Sequence, residues 1–537
     1  MKTMKKSMPV APAFVLVCAL FITGCSQPFG NKPNVPSGPD PNLLIEGGVL
    51  KGGQTPSGTL VIPADVTEIA REAFKDRKDL QAVDFSSCTR LTKIGAEAFF
   101  GCTGLKSLSL PASLETLEYS VFFGCTGING TVVLPANLET IGDGAFYSCS
   151  NVDGFDFSKC TKLSSIGSIT FANCTKIKAV HLPASVKTIA GDAFNDCPEL
   201  TELTVHSDNK SLKSKKNIIY TYDETQALCC TRTIPSVDFP PNLTQIADWA
   251  FMYCKKLQEL KLPDSVETLG FQTFYGCDGI KGTVHLPRNL KTIGNSAFSW
   301  CREVDGFDFS KCNELSSIGG RAFADCTKIK EVHLPEKLTN IAGDAFSGCT
   351  ELKTITVDPA NATFTVKDNT VYDKSAKKLL CSARAITSFT FPTDITEIGG
   401  GAFSGCEKLT AANLSSCTVL KTIGADAFFG CASLTQLSLP ASLETLNDNA
   451  FFTCREMSGT VVLPANLKKI GEDAFFQCGK VTVFDFSKCT AFISIAGGAF
   501  TECNAAVFTV KKGSVGSAIK TALIKSGVAA DKIKEVD

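Results

Sequence analysis

Histidine, cysteine and carboxylate side chains carry most acid–base, nucleophilic and metal chemistry, and this chain uses them unevenly. It has four histidines and 25 cysteines among 537 residues. His181, His285 and His333 each stand directly before Leu-Pro, and His206 follows Val205. A hydrolase or metal site would combine them with Asp156 or Asp308, one repeat earlier. Yet Asp156 and His181 recur as Asp308 and His333, and a third copy keeps Asp485. A duplicated pair fits a solvated face better than a duplicated active site. No Gly-x-Ser-x-Gly, His-Glu-x-x-His or phosphate-loop sequence occurs. The reading is a non-enzyme that needs no cofactor and no metal.

The cysteines keep time instead. Cys102, Cys125, Cys149, Cys174 and Cys197 form one series, Cys254 to Cys349 a second, and Cys406 to Cys503 a third. Arg77 takes the cysteine place in the first unit, which makes sixteen units of 23–25 residues. Each reads approximately Ile-Gly-x-x-Ala-Phe-x-x-Cys-x-x-Leu-x-x-Leu-x-Leu-Pro. One such unit cannot close a core, but stacked units bury their apolar positions against neighbours. The Leu-x-Leu part alternates like a half-buried strand, inward at Leu108 and Leu110 with Ser109 outward, and Pro111 ends it. The Ala-Phe-x-x-Cys part is expected to return opposite as a short helical or 3₁₀ turn. Cysteines spaced singly lack the paired grouping of zinc sites. Equivalent residues on successive coils sit about 5 Å apart with parallel Cβ vectors, a poor disulfide geometry. A buried column of reduced thiols is therefore expected. Cys229-Cys230 and the set Cys88, Cys160, Cys312, Cys417 and Cys489 are left open.

Around this body the chain divides further. Lys2, Lys5 and Lys6 precede an apolar run from Val10 to Ile22, which reads as a signal peptide over residues 1–24. Its end, Thr23-Gly24-Cys25, resembles a bacterial lipobox, which implies cleavage before Cys25 and lipidation there. Several acyl chains on one residue anchor stably to a membrane. Residues 25–42, rich in Pro, Gly and Asn, form a tether that could reach ~50 Å. Residues 43–62 serve as an N-terminal cap, and repeats fill 63–204, 237–356 and 389–503. Two inserts, 205–236 and 357–388, each carry two apolar runs around a polar turn and read as projecting β-hairpins. Residues 504–537 form a C-terminal cap with helical spacing at Val515, Ile519 and Leu523. Formal charge is −1, and losing three leader lysines makes it −4, so a nucleic-acid partner is not expected.

The repeated unit resembles the BspA-like, or Treponema-type, leucine-rich repeat of bacterial surface proteins, over roughly residues 60–503. The resemblance implies a curved, right-handed α/β-type leucine-rich-repeat solenoid with short strands on its concave face. It also implies exposure on the cell surface and adhesion to host matrix proteins or other bacterial cells. The candidate binding face is the outward strand row: Asp84, Ser109, Asp156, His181, Lys261, His285, Asp308, His333, Asn413 and Asp485. Mixed charge, small residues and few aromatics suit a broad protein or glycan contact more than a small-molecule pocket. The alternatives are an envelope-spacing lipoprotein without a ligand and, third, a hydrolase.

Overall fold

A computed structural model describes residues 42–53, 58–491 and 494–537. The segments expected to be a signal peptide, the lipidation site at Cys25 and nearly all of the tether lie outside the described residues. The rest is a β-solenoid. Its backbone spine is formed by two-residue strands at the Ile-Gly motif, beginning with Glu68–Ile69, Lys93–Ile94, Thr116–Leu117 and Thr140–Ile141. Each pairs in parallel with the next, Ile over Ile or Leu. The glycine that follows is required by proximity: a Cβ on Gly95 would lie 2.7 Å from the Arg71 nitrogen of the coil below.

These rungs gather into three sheets of eight strands. Sixteen two-residue rungs match the sixteen units, but hairpin strands add further layers, so the stack is longer than the units alone predict. Each sheet opens on an antiparallel hairpin. Leu43–Glu46 with Val49–Gly53 starts the first. The strands Leu212–Lys215, Ile218–Thr221 and Gln226–Cys230 start the second, and Phe364–Lys367, Thr370–Asp373 and Lys378–Ser382 the third. The inserts are thus hairpins, but they do not project. Ile218, Ile219 and Tyr220 are buried and their strands run on into the ladder. Their continuous apolar character required burial on both faces, which a projecting hairpin could not supply.

The Ala-Phe-x-x-Cys arc is not helical. Glu97 and Gly101 have φ of 57° and 69°, and comparable left-handed pairs recur from coil to coil. Such residues turn the chain out of the α-region. Alternate N–H groups then donate to the next coil: Glu97 to Tyr119, Phe99 to Val121 and Gly101 to Phe123. The intervening ones close tight turns, as Cys102 does onto Phe99. Inside this arc the phenylalanines stack from Phe74 to Phe194, from Phe251 to Phe346 and from Phe403 to Phe500, with centroids 5.0–5.8 Å apart. Burying each ring contributes about 1.5–3 kcal/mol. Except at Cys254 and Cys406, the column thiols donate to a phenylalanine carbonyl of the preceding coil, as Cys125 does to Phe99 at 3.1 Å. All 23 cysteines of the described residues are buried free thiols.

Where one block meets the next, the insert lacks this arc, and a buried arginine fills the gap. Arg384 donates to the carbonyls of Gly343, Phe346, Gly401 and Ala402 at 2.5–3.3 Å. Arg232 does the same for Gly191, Trp249 and Ala250, and also reaches Asn195 Oδ1. Without the arginines the carbonyls of Gly343 and Gly191 would be orphans in a dry interior, while the others accept a second donor, as Phe346, Gly401 and Ala402 do from the N–H groups of Cys349, Ser404 and Ser382. At the C-terminal end, helix Ser514–Lys525 buries Ile519 and Leu523, while Val515 is 38% exposed. Strand Ile533–Val536 then pairs in parallel with Val507–Lys511.

Candidate binding surface

The Leu-x-Leu strands pair only in places, and the gaps create the most distinctive surface. Gly130–Val133 pairs with Val152–Asp156, and Ala179–Leu182 with Glu202–Val205. Between these two pairs the sheet lapses. The strand before the lapse belongs to the longer coil that carries Asp-Phe-Ser-Lys-Cys. Asp156 Oδ1 accepts the N–H of Ser158 at 2.8 Å, and the Cys160 N–H donates to the Phe157 carbonyl. This tight turn closes the strand end, although the same turn at Asp485 leaves the pairing with Val507–Lys511 intact. The resulting groove, about 850 Å³, is floored by Phe155 and Phe157 and bordered by Asp156, His181, Thr204 and His206. Ala184 and Ser185 form part of its rim and, being short, leave it open.

The same turn occurs three coils earlier. Asp84 accepts the Ser86 N–H, and a second groove of about 640 Å³ lies between Asp84, Ser86, Ser109 and Ala112. Leu108–Leu110, expected as a strand, is not one: Leu108 is buried and Ser109 exposed, but the ladder has lapsed there. In the second block Asp308 makes the corresponding turn with Ser310, but the rim positions are Glu336 and Lys337.

The outward row has a pairing that the sequence did not reveal. His181 does not engage Asp156; its Nδ1 lies 2.7 Å from Thr204 Oγ1, one coil further on. His333 likewise meets Thr356 at 2.8 Å. His285 is the histidine hydrogen-bonded to a carboxylate, 2.8 Å from Asp308 Oδ2, while His181 and His206 have Glu202 and Asp208 at 3.9 Å. Lys261 pairs with Glu259, Asn413 lies opposite Ser438, and Asp485 accepts from Thr509 and from the Ser487 N–H. Hydrogen bonds from Ser86, Ser158 and Ser310 hold the carboxyls of Asp84, Asp156 and Asp308 below the usual range. A carboxyl depressed in the folded state stabilises above its unfolded pKa, about 4, and that contribution is lost as pH falls through the folded value. Melting temperature should therefore drop on acidification below about pH 4. The triple replacement of Asp84, Asp156 and Asp308 by Asn should flatten that slope, because Asn413 already accepts the Ser415 N–H in this role. An unchanged acid slope would contradict the assignment.

A second surface escaped the sequence reading, which followed the strand row. Phe100, Phe123 and Tyr147 stack at 4.7 and 4.5 Å on the outer side of the arc, half-buried. Phe429, Phe452 and Phe476 repeat the arrangement at 4.9 and 4.6 Å. The signal was the doublet Phe99-Phe100 and its copies, in which one ring faces in and the next faces out.

This architecture is that of a leucine-rich-repeat solenoid. The BspA type leucine rich repeat region matches six copies, over residues 54–160, 92–217, 221–353 and 374–507, so the chain belongs to that family. No curated protein matches the chain. Among solved structures it is similar to a leucine-rich cell surface protein of Faecalibacterium prausnitzii, with 23% identity, 77% of this chain and 93% of that chain covered, and a TM-score of 0.48. It is similar also to the pneumococcal vaccine antigen PcpA, with 18% identity, 90% and 80% covered, and a TM-score of 0.39. A leucine-rich-repeat protein of Bacteroides ovatus gives 19% identity, 92% and 97% covered, and a TM-score of 0.34.

Proposed function

We propose that this protein is a bacterial surface lipoprotein, anchored through Cys25, that acts as an adhesin by holding a protein ligand against the outward strand row. The groove at Asp156, His181, Thr204 and His206 is its primary contact. The observation that carries the reading is that groove, an apolar floor with polar, unburied walls set where the strand ladder lapses between Val152–Asp156 and Ala179–Leu182. A small-molecule site would be expected to enclose its ligand, whereas this groove opens sideways onto the row of exposed His181, His285, His333, Lys261 and Asn413. A long face of mixed charge suits a broad protein contact more than a single polar anchor.

The test uses residues 42–537, presented to immobilised matrix proteins and to whole bacterial cells. Ala184→Glu with Ser185→Lys imports the side chains of the second block, Glu336 and Lys337, where the fold accepts them. Stability should change by no more than about 0.5 kcal/mol, while affinity for a bound protein should fall by about tenfold or more, a loss of ~1.4 kcal/mol. Unchanged saturable binding would move the contact to another face. No saturable binding at all would favour an envelope spacer without a ligand. Protease shaving of intact cells checks surface exposure directly.

A further inference from the structure

The regular thiol ladder breaks at one place in a way that brings two sulfurs together. Elsewhere in the second block, Cys277, Cys301, Cys326 and Cys349 each donate to a phenylalanine carbonyl of the coil before, at 3.1–3.2 Å. Cys254 has no such phenylalanine below it, because the preceding layer is the insert strand Gln226–Cys230. Its sulfur lies 3.4 Å from that of Cys230, and the nearest carbonyl, Thr231, is 4.0 Å away. The Arg232 guanidinium stands 3.5 Å from the Cys230 sulfur. At the second junction the place of Cys230 is taken by Ser382, opposite Thr370 as Cys230 is opposite Ile218, so Cys406 has no sulfur partner of this kind.

We infer that Cys230 and Cys254 are joined by a disulfide when the chain folds in the presence of a disulfide donor, locking the first junction and not the second. Two thiols lose two protons and two electrons, and the donor disulfide is reduced to two thiols. The Cys254 thiolate attacks a donor sulfur and expels one thiolate. Cys230 then attacks the mixed disulfide at the Cys254 sulfur and releases the second. Both cysteines of the pair are about 1% exposed or less, so the exchange must precede closure of the junction.

The experiment refolds the full chain with oxidised glutathione, alkylates it in denaturant without reduction, and digests it with trypsin. Cleavage after Lys216, Arg232 and Lys255 separates the peptide 217–232 from 233–255. The expected product is these two peptides covalently linked, two hydrogens lighter than their sum. It should persist in Cys229→Ser and vanish in Cys230→Ser, which copies the second junction and should fold. Alkylation of both Cys230 and Cys254 in the unreduced chain would overturn the inference. So would a link from Cys254 to another cysteine, or a link that survives Cys230→Ser.

Discussion

Replacing Arg384 with Met should cost about 3–5 kcal/mol of stability, read as a lower midpoint in urea or guanidinium unfolding. The side chain is 1% exposed, and its guanidinium serves four backbone carbonyls across the gap between Gly343 and Ala402. Methionine fills the volume but donates nothing, so the Gly343 carbonyl is left without a donor, and Phe346, Gly401 and Ala402 keep only the N–H groups of Cys349, Ser404 and Ser382. An unsatisfied buried group costs about 1–3 kcal/mol, and the loss of three further bonds from a charged donor, each worth about 1.5–3 kcal/mol before compensation, adds to it. Lysine should not rescue the variant. Its ammonium is one compact centre, whereas the planar fork reaches both sides of the gap at once. Hydrogen exchange should accelerate first around the junction, near Ala383 and Ala402, and not in the interior of the third block. As a control, Arg302, which lies over the Trp300 ring at 4.0 Å on the surface, should tolerate Met with a loss of about 1 kcal/mol or less. An equal effect at Arg302 and Arg384 would mean that the junction is not held by its hydrogen bonds.

Replacing Phe171 with Ala should cost a comparable 3–5 kcal/mol and should also weaken ligand binding. Phe171 stacks on Phe146 and Phe194 at 5.8 and 5.4 Å, and it supports Phe155 at 4.4 Å and Phe157 at 5.9 Å. Phe155 and Phe157 are the floor of the first groove. A cavity beneath them lets that floor sink, and the rigid stack has few ways to close around the void. Phe194 ends its column with a single ring neighbour, so Phe194→Ala should fall at the lower end of the range and leave the groove intact. Calorimetric or chemical unfolding measures the first effect. Titration of the ligand, well below the unfolding transition, measures the second. Equal loss of affinity in both variants would place the contact away from the groove.

Much of the fold was legible because the repeat copies its packing. Ile94, Phe99, Cys102, Leu105 and Leu114 were read as inward from their recurrence, and all are essentially fully buried. The arc opposite was misread as helical because apolar spacing does not report backbone handedness. The left-handed φ values at positions such as Glu97 and Ser120 carry no apolar signature. The inserts were read as hairpins from two apolar runs and a turn. Whether a hairpin projects or stacks depends on what its second face meets, and that is a property of the neighbouring coils.

The candidate surface divides in the same way. The exposed strand row follows from alternation, so Ser109, His181, Lys261, His285, His333 and Asn413 were identifiable before any fold was known. Their partners were not. His181, His285 and His333 bond to a residue 23 positions ahead, while Asp156 stands 25 before His181, and the ladder lapses between them. The sequence by itself determined the repeat, its inward columns and its outward row, because periodic burial leaves a periodic pattern. Only the tertiary structure decided where the ladder lapses into grooves, which arginine replaces a missing arc, and which two of the buried sulfurs meet. Each of those depends on how one coil sits over the next, and a local pattern does not specify that offset.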